Sequence, residues 1–137
     1  MTHPIQQAAL LLARFGLSAG YLSSVADRFG AWGRPGTPGV TWGDFQRFIT
    51  HIEKMPLTPT GSAAVLAWLT TVLEASFGLS LLVGLRTRTM GFGSGCLLLV
   101  FAVTMLFSSA GIHGVFASSV LAAAGASMLL ATKADEI

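Results

Sequence analysis

Of the seventy residues from Ser62 to Ala131, only Glu74, Arg86 and Arg88 carry a charge. A segment so poor in charge cannot cover itself with polar surface, and apolar stretches of about 20 residues match the hydrocarbon thickness of a bilayer. Cutting this segment at its polar interruptions predicts membrane spans over about 62–85, 90–107 and 115–131, with a further span over about 4–25. Composition agrees: 53% of the 137 residues are hydrophobic and 10% are charged, which lies outside the range of ordinary water-soluble domains.

Four spans use most of the chain, leaving one extramembrane segment, about 26–61, and no second domain. The connections at 86–88 and 108–114 are short, which forces neighbouring helices to run antiparallel. The predicted fold is therefore all-α, an integral membrane four-helix up-down bundle over 1–137. Pro59 suits the first turn of the second span, where a missing N–H costs little. In the first span the uninterrupted apolar stretch, Ala8 to Ala13, is short and no basic region precedes it, so a retained span is expected rather than a cleaved signal peptide.

The segment 26–61 is polar but patterned. Trp42, Phe45, Phe48, Ile49, Ile52 and Met55 recur at helical spacing, while Asp44, Arg47, His51 and Lys54 face largely the other way. This predicts an interfacial amphipathic helix over about 42–55, capped by Thr41, that either caps the bundle or serves as a lid over a site. Trp32, Trp42 and Trp68 fit an aromatic belt at one membrane boundary. The net charge of +2 points to anionic lipid headgroups rather than nucleic acid. The Lys and Arg count is nearly balanced between the two faces. Because Arg86 and Arg88 flank spans in a minimal loop, both termini are expected to be cytoplasmic.

Arg14 and Glu74 stand inside predicted spans, where an unpaired charge costs several kcal/mol. At a rise of 1.5 Å per residue, Arg14 lies about 14 Å from Ile5 and Glu74 about 16 Å from Leu85, so the two depths match and predict a buried Arg14–Glu74 ion pair. Ser18 and Tyr21 follow Arg14 on one helical face, and Thr70 and Thr71 precede Glu74 by a turn, so these four are expected to line a polar pocket. Two readings stay open. The network is interhelical glue, or it is a proton-active or quinone-headgroup site in which Glu74 carries the proton and Arg14 sets its acidity.

Gly16 with Gly20, and Gly91 with Gly95, have the GxxxG spacing that lets helix backbones approach, inside the bundle or at an oligomer interface. Ala122 and Ala126 read as packing residues too. His3, His51 and His113 lack the spacing of a metal or haem site, so no metal is expected. Cys96 is the single cysteine and allows no internal disulfide. No motif for covalent catalysis is present, and catalytic residues are left unassigned.

Arg14 with Gly16 and Gly20, the run Ser23-Ser24-Val25-Ala26-Asp27-Arg28-Phe29-Gly30, and Glu74 with Gly78, Gly84, Thr87 and Arg88 together resemble the DoxX-like family of small bacterial membrane proteins. The resemblance implies a four-helix bundle in the bacterial cytoplasmic membrane with both termini inside. It also implies kinship with the DoxD-type subunit of a thiosulfate:quinone oxidoreductase and a redox protein as partner. Arg14 and Glu74 carry over as the intramembrane pair, with Asp27 and Arg88 as secondary motif positions. Without a CxxC pair, electrons would pass through a bound quinone or the partner's cofactor. The expectation is a membrane subunit or anchor of a redox system that offers a quinone a pocket beside the Arg–Glu pair. A noncatalytic assembly subunit and a small-solute or proton conductor are the alternatives.

Overall fold

The computed structural model describes residues 3–137, and these are all helix, turn and loop, without strands among the described residues. In chain order, α1 spans Pro4–Arg28, α2 Phe45–Glu53, α3 Ala63–Val83, α4 Thr87–Leu106, α5 Gly111–Ala117 and α6 Val120–Thr132, followed by a 3-10 turn at Ala134–Glu136. Three of these, α1, α3 and α4, are long and apolar enough to cross a membrane. α5 and α6 make up a fourth crossing only if taken together, and they are bent by 52°. The chain is a multi-pass membrane protein.

The expected single span over 115–131 is thus replaced by a broken one. Its break falls at Ser118 and Ser119, where Ser119 adopts φ 56, a left-handed conformation that ends a helix. Two further boundaries differ. α1 continues one turn past Val25 to Arg28, and α3 starts at Ala63 behind an N-cap at Ser62, with Pro59 in the turn before it accepting hydrogen bonds from the Ser62 N–H and hydroxyl.

Packing fixes the antiparallel neighbours. α1 lies on α3, with Ser18 Oγ donating to the Gly78 carbonyl at 2.7 Å, and a Cβ at Gly78 would meet Leu22 at 2.9 Å. α4 lies on α6: a Cβ at Gly91 would meet the Ser127 carbonyl oxygen at 3.1 Å, and one at Gly95 would meet Met128 at 2.8 Å. That GxxxG pair packs helices, as expected from its spacing. α3 ends on Gly84, φ 76, with Leu85 N–H bonded to the Ser80 carbonyl at 2.8 Å, a Schellman closure that turns the chain directly into α4. At the centre, the Tyr21 hydroxyl lies 2.7 Å from Ser94 Oγ, which in turn accepts from Ser127 Oγ at 2.8 Å. One chain of hydroxyls thereby ties α1, α4 and α6 together.

The segment between α1 and α3 is ordered by Asp27, whose Oδ2 accepts from the N–H groups of Thr41 and Trp42, both at 2.9 Å. This brings α2 back onto α3, where Phe48 and Ile52 are buried against Ala63 and Ala67. The amphipathic reading of this helix stands with shorter bounds. Its cap is Asp44 rather than Thr41: Asp44 Oδ1 accepts from Arg47 N–H at 2.8 Å, and Thr41 instead gives its N–H to Asp27. Trp42 and Trp68 pack with Phe29, Phe45 and Phe48 in a ring cluster, and Trp32 Nε1 donates to the Ser23 carbonyl at 3.0 Å. The three tryptophans therefore share one end of the bundle.

Candidate functional site: a buried ion pair beside an apolar groove

Arg28 closes α1 on a face already marked by Ser18 and Tyr21, with Tyr21 three and Arg28 ten residues along from Ser18 at helical spacing. From there its guanidinium reaches α3. Nη2 lies 2.5 Å from Glu74 Oε2, Nη1 donates to Thr71 Oγ1 at 2.9 Å, and Nη2 also donates to Ser24 Oγ at 3.3 Å. Thr71 Oγ1 donates onward to the Ala67 carbonyl at 2.7 Å, which leaves it oriented to accept from the arginine. On the remaining side the Phe48 ring of α2 covers the guanidinium, with Cζ 3.8 Å from its centroid, a cation–π contact strengthened by exclusion of water. Arg28 and Glu74 are 3% and 2% exposed.

This partner replaces the expected one. Arg14 is half-buried and sits beside Gly84, where a Cβ would meet its Nη1 at 3.0 Å. Gly84 lies ten residues past Glu74, about 15 Å along a helix. The depth argument failed because it placed Ile5 and Leu85 at one level, whereas α1 runs past the α3–α4 turn: Gln6 and Gln7 reach the C-terminal turn at Glu136. The signal that identifies Arg28 was present in the sequence. Extending the first helix by one turn puts Arg28 on the stripe of Ser18 and Tyr21.

The other expected pocket residues divide. Ser18 and Thr71 are buried and hydrogen-bonded within the helix interface, and Tyr21 bonds to Ser94. Thr70 is half-buried and makes no side-chain hydrogen bond to the pair. Asp27 holds the loop, as described, and Arg88 lies at the opposite end of the bundle.

Beside the pair lies a groove of about 540 Å³, walled by Gly16 and Gly20 of α1 and by Ala122 and Ala126 of α6. Leu98 and Phe101 of α4 line it as well, and its polar groups come from Glu74, Tyr21 and Ser24. These small residues were expected to bring helices together. A Cβ at Gly16 or Gly20 would instead meet nothing within 4 Å, so this GxxxG pair leaves space unfilled, while α1 and α6 touch elsewhere through Leu10 and Leu130. The volume is of the order that holds a small organic ligand, with apolar walls and a carboxylate at one side.

Among known families, the one described as "Methylamine utilisation protein MauE" matches residues 6–115. No curated protein and no solved structure matches. The matched region holds α1 to α4, the loop fastened by Asp27, and both members of the buried pair, and the chain belongs to the MauE family.

Proposed function

We propose that this protein is the membrane subunit of a methylamine-utilising system, anchoring a redox partner and seating a quinone-type lipid in the groove beside Glu74. The observation that carries the reading is the placement of Glu74: buried, paired with Arg28, and on the wall of a largely apolar groove. An isoprenoid tail fits walls of glycine, alanine, leucine and phenylalanine. A quinone carbonyl near Glu74 would find a carboxyl able to exchange a proton.

The family description supplies the chemical context. Freeing the nitrogen of methylamine by oxidation at carbon releases electrons, and a membrane quinone accepts electrons together with protons. The DoxX-like resemblance points the same way, toward a small membrane subunit beside redox proteins. We place both termini in the bacterial cytoplasm. Arg28 is neutralised by Glu74, so the face bearing α2 keeps Arg34, Arg47 and Lys54 against the acids of the same segment, while Arg86 and Arg88 flank spans at the other face.

A noncatalytic anchor is the second reading, favoured by the way α2 covers the guanidinium and would lock the pair as structure. Purification in mild detergent followed by mass spectrometry of copurifying proteins and quinones separates the two. The quinone reading expects a stoichiometric quinone in the wild type that is lost in Gly16→Leu, a substitution whose Cβ enters open space and whose side chain fills the groove, while the protein partner is retained. A wild type that carries the partner and no quinone leaves the anchor reading and ends the other.

A further inference from the structure

The end of the bundle away from α2 carries charge of a different kind. Arg14, Arg86 and Arg88 line a pocket of about 420 Å³ together with Thr87 and Thr89, and the C-terminal turn closes one side through Asp135. Among the described residues the ion pairs are Arg28–Glu74 and Lys133–Glu136, so none of these three guanidiniums has an acidic partner. Ala134 and Ile137 complete the wall at Asp135. Arg14 Nε is buried and makes no hydrogen bond.

The backbone adds to the same field. α4 starts at this pocket, and its N-cap, Arg86, makes no side-chain capping bond. The N–H groups of the first turn, at Thr87, Arg88 and Thr89, have no carbonyl within the helix to bind and present the positive end of the helix dipole. Arg86 itself is held at φ 47, a left-handed conformation for which glycine or asparagine is the unstrained choice. An arginine there keeps a guanidinium at the pocket at the cost of local strain.

We propose that this pocket binds a phosphate group. The three guanidiniums offer forked N–H donors that match phosphate oxygens bidentately, and a helix N-terminus with free N–H groups binds the same anion. Arg86 caps α4 and Arg88 lies in its first turn, at the end of the spans, which makes the headgroup of an anionic phospholipid the natural source, since basic pockets between membrane helices take such headgroups. The site is independent of the groove at Glu74 and stands or falls separately from it.

The experiment compares the full-length protein in nanodiscs of phosphatidylcholine alone and with added phosphatidylglycerol. A second arm compares sodium phosphate with sodium chloride at matched ionic strength in zwitterionic detergent. Wild-type protein is expected to melt at higher temperature with phosphatidylglycerol and to retain that lipid in native mass spectrometry. The double variant Arg86→Gln with Arg88→Gln should bind it at least ten-fold more weakly, with unchanged helicity and melting in phosphatidylcholine. If the double variant does not fold, Arg88→Gln alone, with Arg88→Lys as partial rescue, gives the same reading. Arg34→Gln with Arg47→Gln, at the opposite end, is the control for bulk charge and should leave binding unchanged. Stabilisation by inorganic phosphate without lipid retention would assign the site to a free phosphate. Equal lipid retention by the wild type and the arginine variants, or no response to either phosphatidylglycerol or phosphate, would overturn the proposal.

Discussion

Across the interface of α1 and α3, Arg28 Nη2 lies 2.5 Å from Glu74 Oε2, with both side chains 3% exposed. Removing one member of such a pair leaves an uncompensated charge in a medium that cannot solvate it, a loss of about 3–5 kcal/mol, whereas replacing both by apolar residues relieves it. Glu74→Gln and Arg28→Gln should each lower the melting temperature strongly, and Arg28→Met combined with Glu74→Leu should recover most of it. Arg14→Gln should show no coupling to Glu74. A double-mutant cycle in detergent measures each coupling. Additive losses at Arg28 and Glu74 would refute the pairing.

Asp27 fastens the loop through two backbone N–H groups. Asp27→Ala leaves both unpaired, a cost of about 1–3 kcal/mol each where they are shielded from water. Amide exchange across residues 31–42 should accelerate, and α2, which follows that loop, should exchange faster as well. Asp27→Asn keeps one acceptor oxygen and should show a smaller effect.

The two glycine pairs should respond with opposite signs. Gly16→Ala and Gly20→Ala add a methyl group into open space and remove backbone freedom from the unfolded chain, gaining about 0.5–1 kcal/mol. At Gly91 the added Cβ would meet backbone, Ser127 O at 3.1 Å and Ala131 N at 3.2 Å. Gly91→Ala should therefore push α4 from α6 and cost about 1–3 kcal/mol. Thermal melts of the three single variants decide this.

His51 lies outside the spans, one face on Trp42 with ring centroids 4.8 Å apart. Burial of that face, and then the nearby Lys54 ammonium, hold its imidazole below the usual histidine range. The neutral form is thus favoured on folding. The unfolded chain takes up its proton first as pH falls, so the contribution of neutral His51 is complete above about pH 6.5 and is lost as pH drops through that value toward the lower folded one. Melting temperature should fall between pH 7.5 and pH 5.5, and His51→Gln should flatten that difference. An unchanged pH slope in the variant would remove His51 from the account.

Apolar length and scarcity of charge determined the membrane-spanning helices, because a helix that satisfies its own backbone is the form that an isolated apolar stretch can take in a bilayer. The period of apolar residues from Trp42 to Met55 likewise determined an amphipathic helix, and Glu74 was identified as a buried charge because hydropathy is a local property. Its partner was not local. Whether Glu74 meets Arg14 or Arg28 depends on how far α1 slides along α3, and that register is set by close contacts such as Gly78 on Leu22 and Ser18 on the Gly78 carbonyl. The same holds for the glycines. Gly16, Gly20, Gly91 and Gly95 share one spacing, yet Gly91 and Gly95 face a helix at contact distance while Gly16 and Gly20 face a groove, since a missing side chain creates either close packing or empty space according to what the tertiary structure places opposite it.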